Sequence, residues 1–287
     1  MRPFHASPWP IVALVLLLFV PVAAVADEAP DLETRIAGLF DELRRSDAPG
    51  GVVAVIRDGE IVHETAFGMA DLERGVAVTP DSVFEIGSIS KQFTAICILL
   101  LEHEGRLSLD DDVREYVPEL PEYERPITLR HLLHHTSGIR DIETLIPLAG
   151  MPWVNYYRRD ELLGLITRQR GLNFPPGRQY LYSNSGYLLL AAIVERVSGQ
   201  SLRDFAETRI FRPLAMKDTE FWDHPSQIVE DRAIAYSENG EGVWGNELWN
   251  LPFDGPAGVY TSVGDLARWD ANFYDNRLGG GAALIAR

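Results

Sequence analysis

Residues 83–105 read VFEIGSISKQFTAICILLLEHEG. The apolar run after Gln92 predicts a buried helix from about Ser88 to Glu104, with Gly105 placed to stop it. Ser88 and Lys91 stand three residues apart, so a helix sets them on one face, one turn from each other. A serine hydroxyl is a poor nucleophile until a neighbour takes its proton. A lysine one turn away can do so if burial and the positive end of the helix lower its pKa. The Ser88 amide N–H, projecting from the helix start, is placed to stabilise an oxyanion. The chain holds two lysines, Lys91 and Lys217, among 26 Lys and Arg residues. A lysine here is informative, because arginine does not deprotonate to act as a base. Ser-x-x-Lys taken alone is a weak signal and reads first as a helix cap followed by a solvated lysine.

Upstream, Asp31 to Arg45 predicts an amphipathic helix with Leu32, Ile36, Leu39, Phe40 and Leu43 on one side. GVVAVIR and IVHETAF then flank Asp58-Gly59, a pair favoured in tight hairpin turns. This is the one clear hairpin, and two strands alone are marginal in water. Further strands are therefore expected within 220–260, or outside this chain. Downstream, about 110–220 is mostly helical pattern punctuated by prolines. Tyr182-Ser183-Asn184 follows the turn Pro175-Pro176-Gly177 and precedes an apolar helix, Tyr187 to Val197, ended by Gly199. A tyrosine beside a protonated lysine can titrate low enough to pass a proton, and an asparagine can both donate and accept. Taken alone, the tripeptide reads first as helix caps at Ser183 and Asn184 beside a half-buried aromatic, Tyr182. A last helix opens at Ser262, with Asp265 three residues on, and runs through Asn272.

Composition bounds the class. At 46% hydrophobic and 24% charged, the 287-residue chain is globular rather than disordered. A formal charge of −16 argues against a nucleic-acid partner. The single cysteine, Cys97, excludes an intramolecular disulfide framework and a cysteine-based zinc site. Residues 1–26 carry Arg2, the apolar run Ile11 to Val20, and Ala24-Val25-Ala26 before Asp27, the pattern of a secretory signal peptide. The run is shorter than the ~20 residues of a spanning helix, so no stable membrane anchor is expected after cleavage, and a periplasmic or secreted location is. No linker rich in Gly, Ser or Pro divides residues 27–287, which are expected to form one domain.

The longer motifs go further. The sequence resembles the serine β-lactamase and penicillin-binding-protein superfamily, in its class C β-lactamase-like branch. The matching stretches are VFEIGSISKQFTA (83–95), EGRLSLDDDVREYVPEL (104–120), ITLRHLLHHTSGIRD (127–141), FPPGRQYLYSNSGYLLLAAIVERVSGQS (174–201), IFRPLAMKDTEF (210–221) and AGVYTSVGDLARW (257–269). The resemblance implies an α/β (α+β) sandwich, a mainly antiparallel sheet flanked by helices plus a helical lobe. It implies Ser88 as the acylated nucleophile, Lys91 as its proton partner, Tyr182 as general base and acid, and Asn184 as a contact to lysine and substrate amide. The reaction implied is cofactor-free hydrolysis of a β-lactam, a D-Ala-D-Ala peptide or an ester through an acyl-enzyme. The superfamily's third motif, K-[TS]-G or H-x-G, does not follow Tyr182 in this sequence. The end at Arg287 is accordingly expected to fall inside the domain, before its last strands. An acylation-only penicillin-binding module and an inactive truncated member stand as alternatives.

Other signals are weaker. His131, His134 and His135 have helical spacing but no arranged carboxylate, and read as turn or surface residues rather than metal ligands. No G-x-S-x-G elbow, P-loop or G-x-G-x-x-G is present. Cys97 falls on the apolar side of the Ser88 helix and reads as core.

Overall fold

The computed structural model describes residues 32–41, 44–247 and 253–285. The segment 1–26, expected from sequence to be a signal peptide, and Leu43 lie outside them. Helix α1 (Leu32–Leu39) is shorter than the sequence pattern suggests. It stops where Phe40 turns to stack on Phe67, ring centroids 5.3 Å apart. Ile36 is buried, but Leu39, expected on the same side, is exposed. Strands β1 (Gly51–Arg57) and β2 (Glu60–Phe67) form the expected antiparallel hairpin, Arg57 opposite Glu60. Asp58 and Gly59 both take positive φ, 54° and 80°. That is the type I′ geometry, whose twist matches that of the strands.

A small antiparallel pair, β3 (Met69–Asp71) and β4 (Val76–Ala77), leads to β5 (Phe84–Glu85) and a 3₁₀ turn, Gly87–Ser90. Helix α2 (Lys91–His103) continues directly from that turn. It ends in a Schellman motif. Gly105 takes φ 68° and donates to the Glu102 carbonyl at 2.9 Å, while Arg106 donates to that of Leu101 at 3.0 Å. Next come α3 (Leu129–Leu133), α4 (Ile142–Leu148), α5 (Arg159–Thr167), α6 (Asn184–Ser198) and α7 (Leu202–Ala206). Every residue of α6 from Asn184 to Val194 is buried, as its nearly unbroken apolar sequence requires of a helix with neighbours on all sides. Helices α2, α3, α5 and α7 surround it. Cys97 and Leu101 of α2 are fully buried in the core these helices share.

The strands expected in 220–260 are present, but short. They are β6 (Glu220–Phe221), β7 (Tyr236–Glu238), β8 (Trp244–Asn246) and β9 (Val259–Thr261). β9 pairs antiparallel with both β5 and β6, and β7 pairs with β8. Helix α8 (Val263–Tyr274) opens on Ser262, whose hydroxyl accepts the Asp265 amide, and lies against the β1–β2 hairpin. A short helix, α9 (Ala282–Ile285), follows. Antiparallel strands and a helical lobe match the α/β architecture expected from the motifs. Among the described residues, no helix is long and apolar enough to cross a membrane.

Candidate active site

The site is assembled where α2 begins. Glu85 reaches both ways: its carboxylate accepts the Gly87 amide at 2.9 Å and the Gly258 amide at 2.8 Å, tying the turn before α2 to the approach of β9. Buried Ser90 accepts the Val259 amide at 3.0 Å on the same seam. Ser88 therefore sits in the 3₁₀ turn, at a helix start whose N–H groups lack intrahelical acceptors.

The structure brings all four sequence-predicted residues together. The Ser88 hydroxyl is 2.5 Å from the Tyr182 hydroxyl. Lys91 Nζ donates to Ser88 Oγ at 3.1 Å, to Asn184 Oδ1 at 2.8 Å and to the Pro256 carbonyl at 2.8 Å. An ammonium has three protons, and here each has an acceptor. The same nitrogen lies 4.6 Å from the centroid of the Tyr182 ring, within cation–π range.

Tyr182 and Asn184 owe their places to a turn around His135, one of the histidines read from sequence as a turn residue. His135 adopts φ 56°. Its Nδ1 accepts the Ser183 amide at 3.1 Å, and its ring stacks on Tyr182 at 4.6 Å. Gly138, with φ 76°, lets the turn pass Phe174, whose carbonyl oxygen a Cβ at 138 would meet at 2.1 Å. His131 is used differently: it completes the capping box of α3 with Thr128. Asn184 is no simple cap either, since its side chain points to Lys91. Its amide N–H donates to the Asp141 carboxylate, and its Nδ2 donates to Glu143 Oε1 at 2.8 Å. Asp141 also caps α4 by accepting the Glu143 amide. Sequence reading missed Glu85, Asp141, Glu143 and Pro256. Asp141 carried one usable signal, an N-cap residue directly before an apolar helix.

Burial lowers the Lys91 amine to about 8, against the opposing pull of Glu143, Asp141 and Glu85. Close to one amine in ten is then neutral at pH 7, and half at pH 8. The tyrosine behaves otherwise than expected from sequence. Burial pushes Tyr182 above the usual phenol range despite its bond to Ser88, and the nearby Glu143 and Asp141 charges push the same way. The phenol thus holds its proton more firmly than a free one, while the Lys91 amine is brought close to neutrality. Tyr182 is placed to relay a proton onward as a donor. Burial, then the Lys91 charge, keeps His135 below its ordinary value, consistent with its role as a neutral acceptor. Burial and Asp141 raise Glu143.

A cleft of about 700 Å³ opens beside these groups. Tyr182, Asn184, Asp141 and Glu143 form one part of its lining, Leu148 and Leu181 another.

Comparison with known proteins identifies the family. A family model described as Beta-lactamase matches residues 36–286. The D-aminopeptidase of Gluconobacter oxydans (strain 621H) is 33% identical over 226 residues, 79% of this chain and 42% of that protein. The D-aminopeptidase of Brucella canis (strain ATCC 23365 / NCTC 10854 / RM-666) is 36% identical over 243 residues, 84% and 45% of the two chains. The chain thus spans somewhat under half the length of these curated relatives. Among solved structures, the octameric penicillin-binding protein homologue from Pyrococcus abyssi superposes with a TM-score of 0.76 at 29% identity, covering 88% of this chain and 58% of that one. The D-amino acid amidase from Ochrobactrum anthropi SV3 superposes with 0.71 at 28% identity, covering 85% and 70%. Motif order, site geometry and a family match across most of its length place this chain in the β-lactamase family.

Proposed function

We propose that the chain is a serine hydrolase that cleaves an amide bond next to a D-configured aminoacyl group bearing a free ammonium. The carrying observation is the Ser88 hydroxyl held within hydrogen-bond reach of both the Tyr182 phenol and the Lys91 amine. In the proposed step, neutral Lys91 takes the Ser88 proton as the Oγ–carbon bond forms. The carbon–nitrogen bond then breaks, and Tyr182 donates a proton to the departing amine, recovering one from Lys91. Water attacks the resulting ester, releases the acid and returns the proton to Ser88. The D-aminoacyl class is supported by the names of the relatives and by the cleft, where two carboxylates, Asp141 and Glu143, suit a substrate ammonium.

The test is intact-protein mass after incubation with a fluorophosphonate, a penicillin, and D- or L-alanine p-nitroanilide, alongside Ser88→Ala. The reading expects one fluorophosphonate adduct, absent in Ser88→Ala, and release of p-nitroaniline faster from the D than the L substrate. A folded protein labelled by neither reagent, or one preferring the L substrate, overturns it. A penicillin adduct that persists without any turnover favours a binding module instead. We further propose export with cleavage after Ala26, which N-terminal sequencing of the periplasmic or secreted product would check.

A further inference from the structure

One buried ion pair lies outside the chemistry described so far. The Arg159 guanidinium, at the first residue of α5, bridges Asp254 and, on α6, Glu195. The Asp254 side chain is only 2% exposed and that of Arg159 17%. A cation at a helix N-terminus meets the unfavourable end of the helix dipole, so Arg159 gains nothing from α5 itself. Its favourable contacts are the two carboxylates.

Asp254 begins a tight turn that Ala257 closes by donating to the Phe253 carbonyl at 2.8 Å. The two residues inside the turn aim their carbonyls at successive turns of α2. Gly255 O accepts the Thr94 hydroxyl at 2.8 Å, and Pro256 O accepts Lys91 Nζ at 2.8 Å. Gly255, with φ 114°, presses onto α6 so closely that a Cβ there would sit 2.7 Å from the Tyr187 carbonyl oxygen. The turn therefore touches α2 and α6, and Arg159 anchors its first residue to α5.

We propose that Arg159 and Asp254 are positioning residues that clamp the 254–257 turn across α2, so that the Pro256 carbonyl closes over the Lys91 amine and keeps water from it. The other charged and titratable groups facing Lys91 are Glu85 beside the turn, Asp141 and Glu143 at the start of α4, His135, Tyr182 and Tyr187. None of them is part of the ion pair itself, although Glu85 holds the Gly258 amide just past the turn. Because Arg159→Met and Asp254→Asn change the charge of the pair in opposite senses, a rise common to both reports the solvent reaching the amine.

The chain's two lysines make the inference directly testable. Protein carrying ¹³Cε-lysine gives two lysine signals, and Lys217→Arg assigns the one from Lys91. Its titration is followed in the wild type, Arg159→Met, Asp254→Asn and Arg159→Lys. In Arg159→Met and Asp254→Asn the Lys91 midpoint is expected to rise toward ordinary lysine by about half a pH unit or more as water reaches the amine. In Arg159→Lys, which keeps the charge and adds a third lysine signal, the Lys91 midpoint stays near the wild type. Should Arg159→Met fail to fold, Asp254→Asn, which keeps shape and loses only the charge, carries the same expectation. An unchanged midpoint in the folded variants overturns the proposal, because a merely structural pair would lower the melting temperature and leave Lys91 alone. The second readout, resting on the hydrolase reading, is kcat/KM at pH 7, expected to fall about threefold for each half-unit rise. If the titration moves while the wild type hydrolyses nothing, the clamp stands and the hydrolase reading falls.

Discussion

Lys91 is at once the most constrained and the most replaceable-looking residue of the site, since the chain uses arginine almost everywhere else a cation is needed. Lys91→Arg keeps the charge but supplies no group that can give up a proton, so acylation of Ser88 by a fluorophosphonate should slow by about 10²–10⁴. In the wild type, the same rate should climb with pH through an apparent midpoint near 8, where half the Lys91 amine is neutral. Stopped-flow labelling between pH 6 and 10 reads both. Stability follows from the same shift. The unfolded chain, with Lys91 near 10.5, holds that proton more tightly than the folded one, near 8. The unfolded state thus binds more protons between those values, and the Lys91 contribution to stability rises with pH across the window. Urea midpoints of wild type and Lys91→Met, compared at both ends, should differ by that rise. Ser88, Lys91, Tyr182 and Asn184 were legible because the long stretches that hold them, 83–95 and 174–201, resemble a family's motifs; the short patterns alone read as helix caps. Pro256 was not: it reaches Lys91 across 165 residues, and a backbone carbonyl leaves no mark in composition. Nor did the direction of the phenol's shift follow from its neighbours in sequence, since partial desolvation of the half-exposed Tyr182 outweighs its bond to Ser88.

Elements with strong local signals form close to where the sequence places them. The Asp58-Gly59 hairpin, the Gly105 stop of α2 and the Ser262 cap of α8 each satisfy backbone groups within a few residues, so the nearby chain is enough to specify them. Helix α1 fails at its end for the opposite reason: a long-range stack of Phe40 on Phe67 decides where it stops. The short strands of the β5–β9–β6 sheet have two or three residues each, too few to show alternation, and they join segments far apart in the chain. The turn under Tyr182 gives a prediction at this scale. Gly138→Ala combines a positive φ with a Cβ 2.1 Å from the Phe174 carbonyl oxygen, whereas Gly75→Ala has φ 67° with open space around it. The first should cost more than about 3 kcal/mol and the second about 1 kcal/mol. Denaturant midpoints would separate them, and only Gly138→Ala should also slow Ser88 labelling, because that turn carries His135.

At the scale of the whole molecule, an acidic surface and a cleft with two carboxylates act together on the approach of a charged substrate. With a formal charge of −16, the protein should attract a cationic aminoacyl amide over distances that salt shortens. Raising ionic strength from about 0.05 to 0.5 M is expected to lower kcat/KM for D-alanine p-nitroanilide and leave its N-acetyl analogue little changed. Equal salt responses would remove the electrostatic part of the substrate argument. The fold class was readable at this scale from the order of the long motifs. How the helices wrap α6 was not, because a helix buried on every side carries no stripe to mark its neighbours. That enclosure has one more consequence. Cys97, the only cysteine, is fully buried on α2, nine residues beyond Ser88, and burial holds its thiol in the protonated form. A disulfide reagent can modify it only when the helix transiently parts from its neighbours, so the rate of that exchange is a clock for the opening of α2. Run before and after Ser88 is acylated, the clock would report how far a covalent event at one end of the helix quiets the rest of it.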